Sequence, residues 1–245
     1  MEDKALLSRE GASGTEKAEL LIVIPAYNEA ENIERVVNHL TANFPQYDYV
    51  VVNDGSRDET AAICQRNGYN LLNLPVNLGL AGAFQAGLKY ADKYGYQYAV
   101  QLDGDGQHRP EYLESMIKKM EEGYDIVIGS RFVGEKKPFT MRMLGSNLIE
   151  MAIRFTTGVN IKDPTSGMRM FSKRMIHEFA SGLNYGPEPD TVSYLIRQGA
   201  RVAEVSVIMD ERILGVSYLT PVNAMRYMLK MLISILLIQN FRKRR

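Results

Sequence analysis

The sequence predicts an α/β domain built on a mostly parallel sheet with helices on both faces. Two observations carry that prediction. From Leu20 onward, short apolar runs alternate with segments of helical periodicity, and each run is brief enough for a buried strand and bounded by turn residues. Directly after several runs come Asp, Asn and Gly, which puts polar groups at the strand ends where open parallel sheets bind ligands.

The first run, LLIVIP, leads into EAENIERVVNHLTANF, in which Ile33, Val36, Val37 and Leu40 share one face at helical spacing. DYVVVN and DETAAICQRNG follow, then YNLLNL and GLAGAFQAGLKYADKYG, then YQYAVQL and PEYLESMIKKMEEG, and then DIVIGSR. Beyond Arg131 the rhythm loosens. VGEKKPFTMR reads as a basic loop, followed by a helix from about Met141 to Thr157. DPTSGMRMF is a turn leading into a short strand, EPDTVSYLIRQG a helix and ARVAEVSVIM a strand. A last helix begins at Thr220 or the turn before it, with Pro221 in its first turn. No linker or repeat interrupts the pattern. The expected organisation is a loose tail over residues 1–19, one domain over 20–219 and a C-terminal amphipathic, basic helix over 220–245.

Of the 245 residues, 45% are hydrophobic and 24% charged, a composition that can bury a core. Lys plus Arg (29) balances Asp plus Glu (29), so no global positive field argues for a nucleic-acid partner. The single cysteine, Cys64, sits within a helical pattern and reads as a small buried side chain; with no partner in the chain it fits a reducing compartment. The opening MEDKALLSREGASGTEKAE is polar and lacks the apolar stretch of a signal peptide. No window approaches the ~18 uninterrupted apolar residues of a membrane span.

A dinucleotide site asks for Gly-x-Gly-x-x-Gly directly after the first strand. Here that strand ends in PAYNEAEN, and Gly79, Gly82 and Gly87 follow the third strand with the wrong spacing. The Walker Lys-Ser/Thr pair is absent as well, so a dehydrogenase and a P-loop enzyme are both disfavoured. The strand ends offer a different arrangement. Pro25, Tyr27, Asn28 and Glu29 follow the first, Asn53, Asp54, Gly55 and Ser56 the second, Asn77 and Gly79 the third, and DGDGQH the fourth. Ser56, Asp58 and Thr60 read as turn formers and helix caps. Asp54 reads as a carboxylate that accepts hydrogen bonds from a base or ribose. Asp103 and Asp105 are the sharpest case. Residues i and i+2 of an extended segment point to one side, so both can face one cation, while Gly104 and Gly106 remove bulk where a ligand approaches. Two hard oxygen ligands with open positions beside them suit Mg²⁺ or Mn²⁺ that also grips phosphates. A plain turn is the structural alternative.

In their order, VIPAYNEAENI, VVNDGSRDET, NLGLAGAFQAGL, QLDGDGQHRPEYL, IVIGSRF and DPTSGMRMFSK resemble the inverting family 2 glycosyltransferases. Within that family the sequence is similar to the dolichyl- or polyprenyl-phosphate mannose synthase-like branch, over residues 20–209. The resemblance implies a GT-A fold with a Rossmann-like sheet. It also implies transfer of a hexose from a GDP- or UDP-sugar to a polyprenyl phosphate of the undecaprenyl or dolichyl type. Nucleotide-sugar contacts are implied for Pro25, Tyr27, Glu29, Asp54, Asn77, Gly79, Asp103, Gln107 and Arg131. Asp103 and Asp105 would hold the metal, with Asp105 also counted as catalytic. Arg131 and Arg169 would face phosphate groups, Arg131 with a catalytic part; each could instead form a structural ion pair. Arg212, in DERILGVSY, would hold the acceptor phosphate, and His108 reads as a solvated or capping residue.

The implied chemistry is physically coherent. Breaking a sugar–diphosphate bond builds negative charge on the leaving nucleotide, which a cation and arginines stabilise. A lipid phosphate, with a second pKa of roughly 6, is already largely anionic and needs no base. A sugar hydroxyl needs a carboxylate to take its proton. GPEPDTVSYLIRQG offers Glu188 and Asp190. Counted back from Gly199, Glu188 matches the base of hydroxyl-acceptor members, yet the acidic pair also matches the Glu-x-Glu of the polyprenyl-phosphate branch. Both acceptors therefore stay open, and acids at a helix N-terminus also have a purely structural use.

The chain ends in MLKMLISILLIQNFRKRR. The apolar block at 231–238 is too short to span a membrane, but with Phe241 and the basic end it suits an anionic membrane interface. The alternative is packing on the domain or on a second copy in a homo-oligomer. The expected setting is cytoplasmic, peripheral on the inner membrane face. Competing functions are addition of a sugar to a hydroxyl of a growing cell-surface polysaccharide, and a non-catalytic nucleotide-sugar binding module. A nucleotidyltransferase is set aside because it opens with a Gly-rich basic loop, unlike PAYNEA.

Overall fold

The computed structural model describes residues 19–135, 137, 140–182, 186, 188–210 and 221–241. Its strands are β1 (Leu20–Ala26), β2 (Asp48–Asn53), β3 (Leu71–Asn73), β4 (Tyr98–Gln101), β5 (Ile126–Ser130), β6 (Arg169–Ser172) and β7 (Val202–Ser206). They form one sheet in the order β3-β2-β1-β4-β6-β5-β7. The helices are α1 (Ile33–Asn43), α2 (Thr60–Arg66), α3 (Gly79–Tyr94), α4 (Leu113–Glu121), α5 (Met141–Thr157), α6 (Lys173–His177), α7 (Pro189–Arg197) and α8 (Pro221–Leu236).

The period-two alternation of β1 divides the core. Leu21 and Val23 join Phe84, Ile128, Phe171, Ile153, Leu195 and Ile235 on one face; Ile22 and Ile24 join Ile33, Leu40, Val100, Leu113 and Met116 on the other. Both faces of β1 are thus covered, which is why its sequence is an unbroken apolar run. Helix α3 lies so close to β1 that a Cβ on Gly87 would stand 2.2 Å from Val23 Cγ1. Phe171 stacks against Phe84 and Phe179 at centroid distances of 5.8 and 5.3 Å, tying β6 to α3 and the π-turn Glu178–Gly182. Cys64 is fully buried, as expected, and burial pushes its thiol pKa up to about 11.

Strand β1 pairs in parallel with β2 on one side and β4 on the other. The chain winds outward through β2 and β3 and then returns to the far side of β1, so the winding direction changes between β1 and β4. The carboxyl ends of those strands flank the crevice in which open sheets bind ligands. Strand β6 is antiparallel to both β4 and β5, pairing Val100 with Met170 and Ile128 with Arg169. Its first residue, Arg169, consequently stands at the carboxyl edge of its neighbours. Helices α5 and α8 pack side by side, with a Cβ on Gly145 only 2.8 Å from Met228 Cγ. Met231 and Ile235 of α8 belong to the same core as Phe84.

Candidate active site

Asp103 and Asp105 stand in a turn just past β4. The turn is closed by the Gly106 N–H donating to the Asp103 carbonyl at 3.2 Å, so the extended arrangement expected from i, i+2 spacing is replaced by a tighter one. Gly106 has φ 81°, a left-handed conformation that strains any other residue, and a Cβ there would also displace the Arg35 guanidinium, whose Nη1 would stand 2.9 Å away. A Cβ on Gly104 would lie 3.1 Å from the Pro25 carbonyl oxygen and 3.5 Å from Glu29 Cγ, which places the end of β1 against the acidic turn.

The carboxylates are held by their neighbours. Gln101 Nε2 donates to Asp103 Oδ1 at 2.8 Å, and the Gln107 N–H donates to Asp105 Oδ1 at 3.0 Å. The Asp103 N–H donates to His108 Nδ1 at 3.1 Å, which leaves the ring proton on Nε2, 3.5 Å from Asp103 Oδ2. Of the solvated and capping roles that the sequence suggested for His108, the structure shows a buried ring that accepts a backbone N–H of the turn, a capping role. Arg35 of α1 donates to the Asp105 carbonyl at 2.9 Å. A cavity of about 380 Å³ opens between α1 and residues 106–111, with Asp103 and His108 in its wall.

At the end of β2, the Asp54 N–H donates to the Ala26 carbonyl, and Asp54 Oδ1 accepts the Leu78 N–H at 2.7 Å. Burial pushes the Asp54 pKa up, against the N–H groups of Leu78 and Gly79, which pull it down. Asn77 Nδ2 donates to the Asp54 carbonyl at 3.1 Å, so Asp54, Asn77 and Gly79 come together at the start of α3. Gly55 is obligatory here, with φ 65° and a would-be Cβ 2.8 Å from Asn77 N. Ser56, Asp58 and Thr60 accept the N–H groups of Asn28 (3.0 Å), Ala30 (3.1 Å) and Glu29 (2.9 Å), which reach across from the first loop, while Asp58 also accepts the Thr60 N–H at 3.0 Å in a local turn. They fasten the loop bearing half-buried Tyr27 and Glu29 to the β2 loop, with Asn28 in the left-handed region at φ 56°.

Arg131 forms a two-pronged ion pair with buried Asp163 (2.7 and 2.9 Å), the structural use weighed from the sequence. Arg169 is buried and donates to the Pro164 carbonyl at 2.7 Å. The intervening loop reaches the acidic turn, where a Cβ on Gly167 would lie 3.2 Å from His108 Cε1 and 3.4 Å from Asp103 Oδ2. Gln107 exchanges backbone and side-chain bonds with Asp210 (2.9 and 3.1 Å), whose carboxylate also pairs with Arg109. That hydrogen bond holds the Asp210 pKa below the usual carboxylate range. Arg212 lies outside the described residues.

The two acids at the start of α7 have different surroundings. Asp190 is buried, with Oδ1 accepting the Thr191 N–H at 2.8 Å and Oδ2 the Ser234 hydroxyl at 2.6 Å. A buried carboxylate with both oxygens engaged is a good tie between α7 and α8. Glu188 is half-buried and accepts a hydrogen bond from the Tyr227 hydroxyl of α8. Burial, and then the charge of Glu188, push the Tyr227 phenol well above its ordinary pKa, so it stays a donor.

Residues 21–179 match the family model for glycosyl transferase family 2. The chain belongs to that family. It is 31% identical over 223 residues to the polyprenol monophosphomannose synthase of Mycolicibacterium smegmatis, covering 86% of this chain and 84% of the relative. It is 30% identical over 210 residues to the undecaprenyl-phosphate mannosyltransferase of Micrococcus luteus, covering 81% and 86%. Among solved structures, glucosyl-3-phosphoglycerate synthase from Mycobacterium tuberculosis, in complex with Mn²⁺, UDP-glucose and phosphoglyceric acid, superposes with a TM-score of 0.67. That match covers 90% of this chain and 79% of the other at 18% identity, and it shows a common GT-A fold. The protein is thus a glycosyltransferase with a GT-A architecture.

Proposed function

We propose that this glycosyltransferase moves a hexose from a GDP- or UDP-sugar to a polyprenyl phosphate, with inversion at the anomeric carbon and with Mg²⁺ or Mn²⁺ at Asp103 and Asp105. The observation that carries the donor half is the acidic turn at the β1/β4 crevice, braced by Gln101, His108 and Gln107. Two hard oxygen donors suit such a cation. Among the described residues no set of three or more His, Cys, Asp or Glu side chains converges. That fits a cation completed by phosphate oxygens and water better than a closed protein cage. When bound, it would neutralise the charge that grows on the leaving diphosphate.

The chain's own residues do the positioning. Pro25, Tyr27 and Glu29, with Asp54, Asn77 and Gly79, frame the nucleotide side of the crevice. Gln101 and His108 fix the rotamer of Asp103, so little reorganisation remains when the donor arrives. Arg169 adds positive charge at the same sheet edge, where the charge of Arg131 is balanced by Asp163. A lipid phosphate attacks as an anion and needs no general base.

The acceptor half is supported by the names of the two relatives, which specify polyprenyl acceptors, and by a surface. Leu144, Leu148, Met151 and Phe155 of α5 are exposed, as are Met225, Leu229, Ile233 and Leu236 of α8, with Phe241 just beyond. Helix α8 carries no acidic residue, and the one acid of α5, Glu150, is paired with Lys137 and Lys162 (2.8 and 3.3 Å). An apolar face with only basic charge around it fits an anionic lipid surface. Among the described residues no helix is long and apolar enough to cross a membrane.

The test is a transfer assay with Mg²⁺ or Mn²⁺, a panel of nucleotide sugars, and acceptors offered separately. Sugar should appear on a short polyprenyl phosphate. Transfer to a glycan hydroxyl alone would overturn this acceptor in favour of polysaccharide synthesis, and donor binding without any turnover would point to a sensor.

A further inference from the structure

Glu188 occupies the N-cap position of α7, yet its side chain makes no cap hydrogen bond there. It therefore does not cap the helix through its side chain. Its carboxylate turns to the Tyr227 hydroxyl, far away in sequence on the C-terminal helix. The backbone on this segment is fixed from the donor side. The Glu188 N–H donates to the Gly186 carbonyl at 2.8 Å, and Gly186 packs on α3, where a Cβ would come within 2.2 Å of Ala81 Cβ. Ala81 is in the first turn of the helix that begins at Gly79, beside Asp54. Glu188 thus stands between the nucleotide-side helix and α8.

Helix α8 is in turn registered against α7 by bonds that do not involve Glu188. Ser234 donates to Asp190 Oδ2 at 2.6 Å, and Gln239, in the 3-10 turn Ile238–Phe241 just past α8, donates to the Asp190 carbonyl. Tyr227 and Ser234 are seven apart, hence on one face, so the Asp190 contacts fix where the Tyr227 hydroxyl falls. Arg169, at the head of β6, acts electrostatically on the same phenol.

We propose that Tyr227 is a positioning residue for Glu188, so that the C-terminal helix forms part of the transfer site as well as an outward surface. The proposal rests on the reading of Glu188 as a residue of the reaction. The phenol donates to one carboxylate oxygen and sets the rotamer in which Glu188 meets the acceptor or the transferred sugar.

A double-mutant cycle on kcat tests it, using the full chain with donor and polyprenyl phosphate. Tyr227→Phe keeps the ring and removes one hydroxyl. It should lower kcat about two- to ten-fold, the range of one net hydrogen bond, and leave the donor KM unchanged. In a Glu188→Gln background the same change should alter kcat by less than about two-fold, because the group it acts through is already lost. Glu188→Asp, which leaves α8 untouched but withdraws the carboxylate from the phenol and from the reacting groups together, should lose at least as much as Tyr227→Phe. Equal losses from Tyr227→Phe in both backgrounds, or no loss from Tyr227→Phe or Glu188→Asp, would overturn the positioning role alone. An unchanged kcat and KM in Glu188→Gln would overturn the reading of Glu188 and the role of Tyr227 with it.

Discussion

The carboxyl edge of β1, β2 and β4 and the face made by α5, α7 and α8 are held together by different kinds of bond. At the sheet edge, backbone N–H groups donate to short side chains a few ångströms away: Leu78 to Asp54, Ala30 to Asp58, Gln107 to Asp105. Left-handed backbone at Asn28, Gly55 and Gly106 makes those turns possible. On the helical face the ties run side chain to side chain between distant segments, Ser234 to Asp190 and Tyr227 to Glu188. The other side of that layer is apolar and exposed. The contrast fits the two substrates proposed: a compact, highly charged donor needs fixed dipoles, and a long apolar acceptor needs surface.

If the helical face meets lipid, breaking it should leave donor binding intact. Phe155 and Phe241 are 85% and 86% exposed. Replacing both with Ser should weaken association with anionic vesicles at least about ten-fold in a flotation assay, since burying one such side chain contributes about 1.5–3 kcal/mol. Unchanged flotation, or a change in oligomeric state instead, would assign the face to a second copy of the chain.

The bracing of the sheet edge sharpens the comparison with a smaller effect. Hydrogen bonds from Thr60 and Ala30 outweigh burial and hold the Asp58 pKa below its ordinary value. A carboxylate depressed in the fold contributes stability above its unfolded pKa and loses it as pH falls through the folded one. Asp58→Ala should therefore cost about 1 kcal/mol near neutral pH, and the gap from wild type should close under acid below about pH 4, in denaturant titrations at each pH. A gap independent of pH would mean that Asp58 acts by packing alone.

Much of this architecture was legible in the sequence because β1 to β4 and their helices announce themselves by period and by turn residues. The α5 helix falls on Met141–Thr157, as its pattern predicts. The direction of β6 was not legible: Arg169–Ser172 is too short to carry a signal, and only the pairing of Val100 with Met170 reveals it. Nor was the outward stripe of α5, because Leu144, Leu148, Met151 and Phe155 have the spacing of a core face. The acids at 103 and 105 could be picked out from a strand running into D-G-D-G, but the turn that carries them depends on the Gly106–Asp103 bond. Of the two roles weighed for His108, solvated or capping, the sequence could not choose, because the loop around Gly167 that comes up to its ring is distant in sequence. Tyr227 lies in an amphipathic helix where its hydroxyl has no sequence partner, so its tie to Glu188 appears only once α7 and α8 are brought together.

The measurement that bears most directly on the account is calorimetric titration of GDP and UDP into the protein with and without Mn²⁺, repeated on Asp105→Asn. One of the two nucleotides should bind at least ten-fold tighter with Mn²⁺ in the wild type, a difference of about 1.4 kcal/mol, and that enhancement should vanish in the variant. An equal Mn²⁺ enhancement in Asp105→Asn, or no effect of the cation on the wild type, would contradict a metal-assisted diphosphate site at this turn.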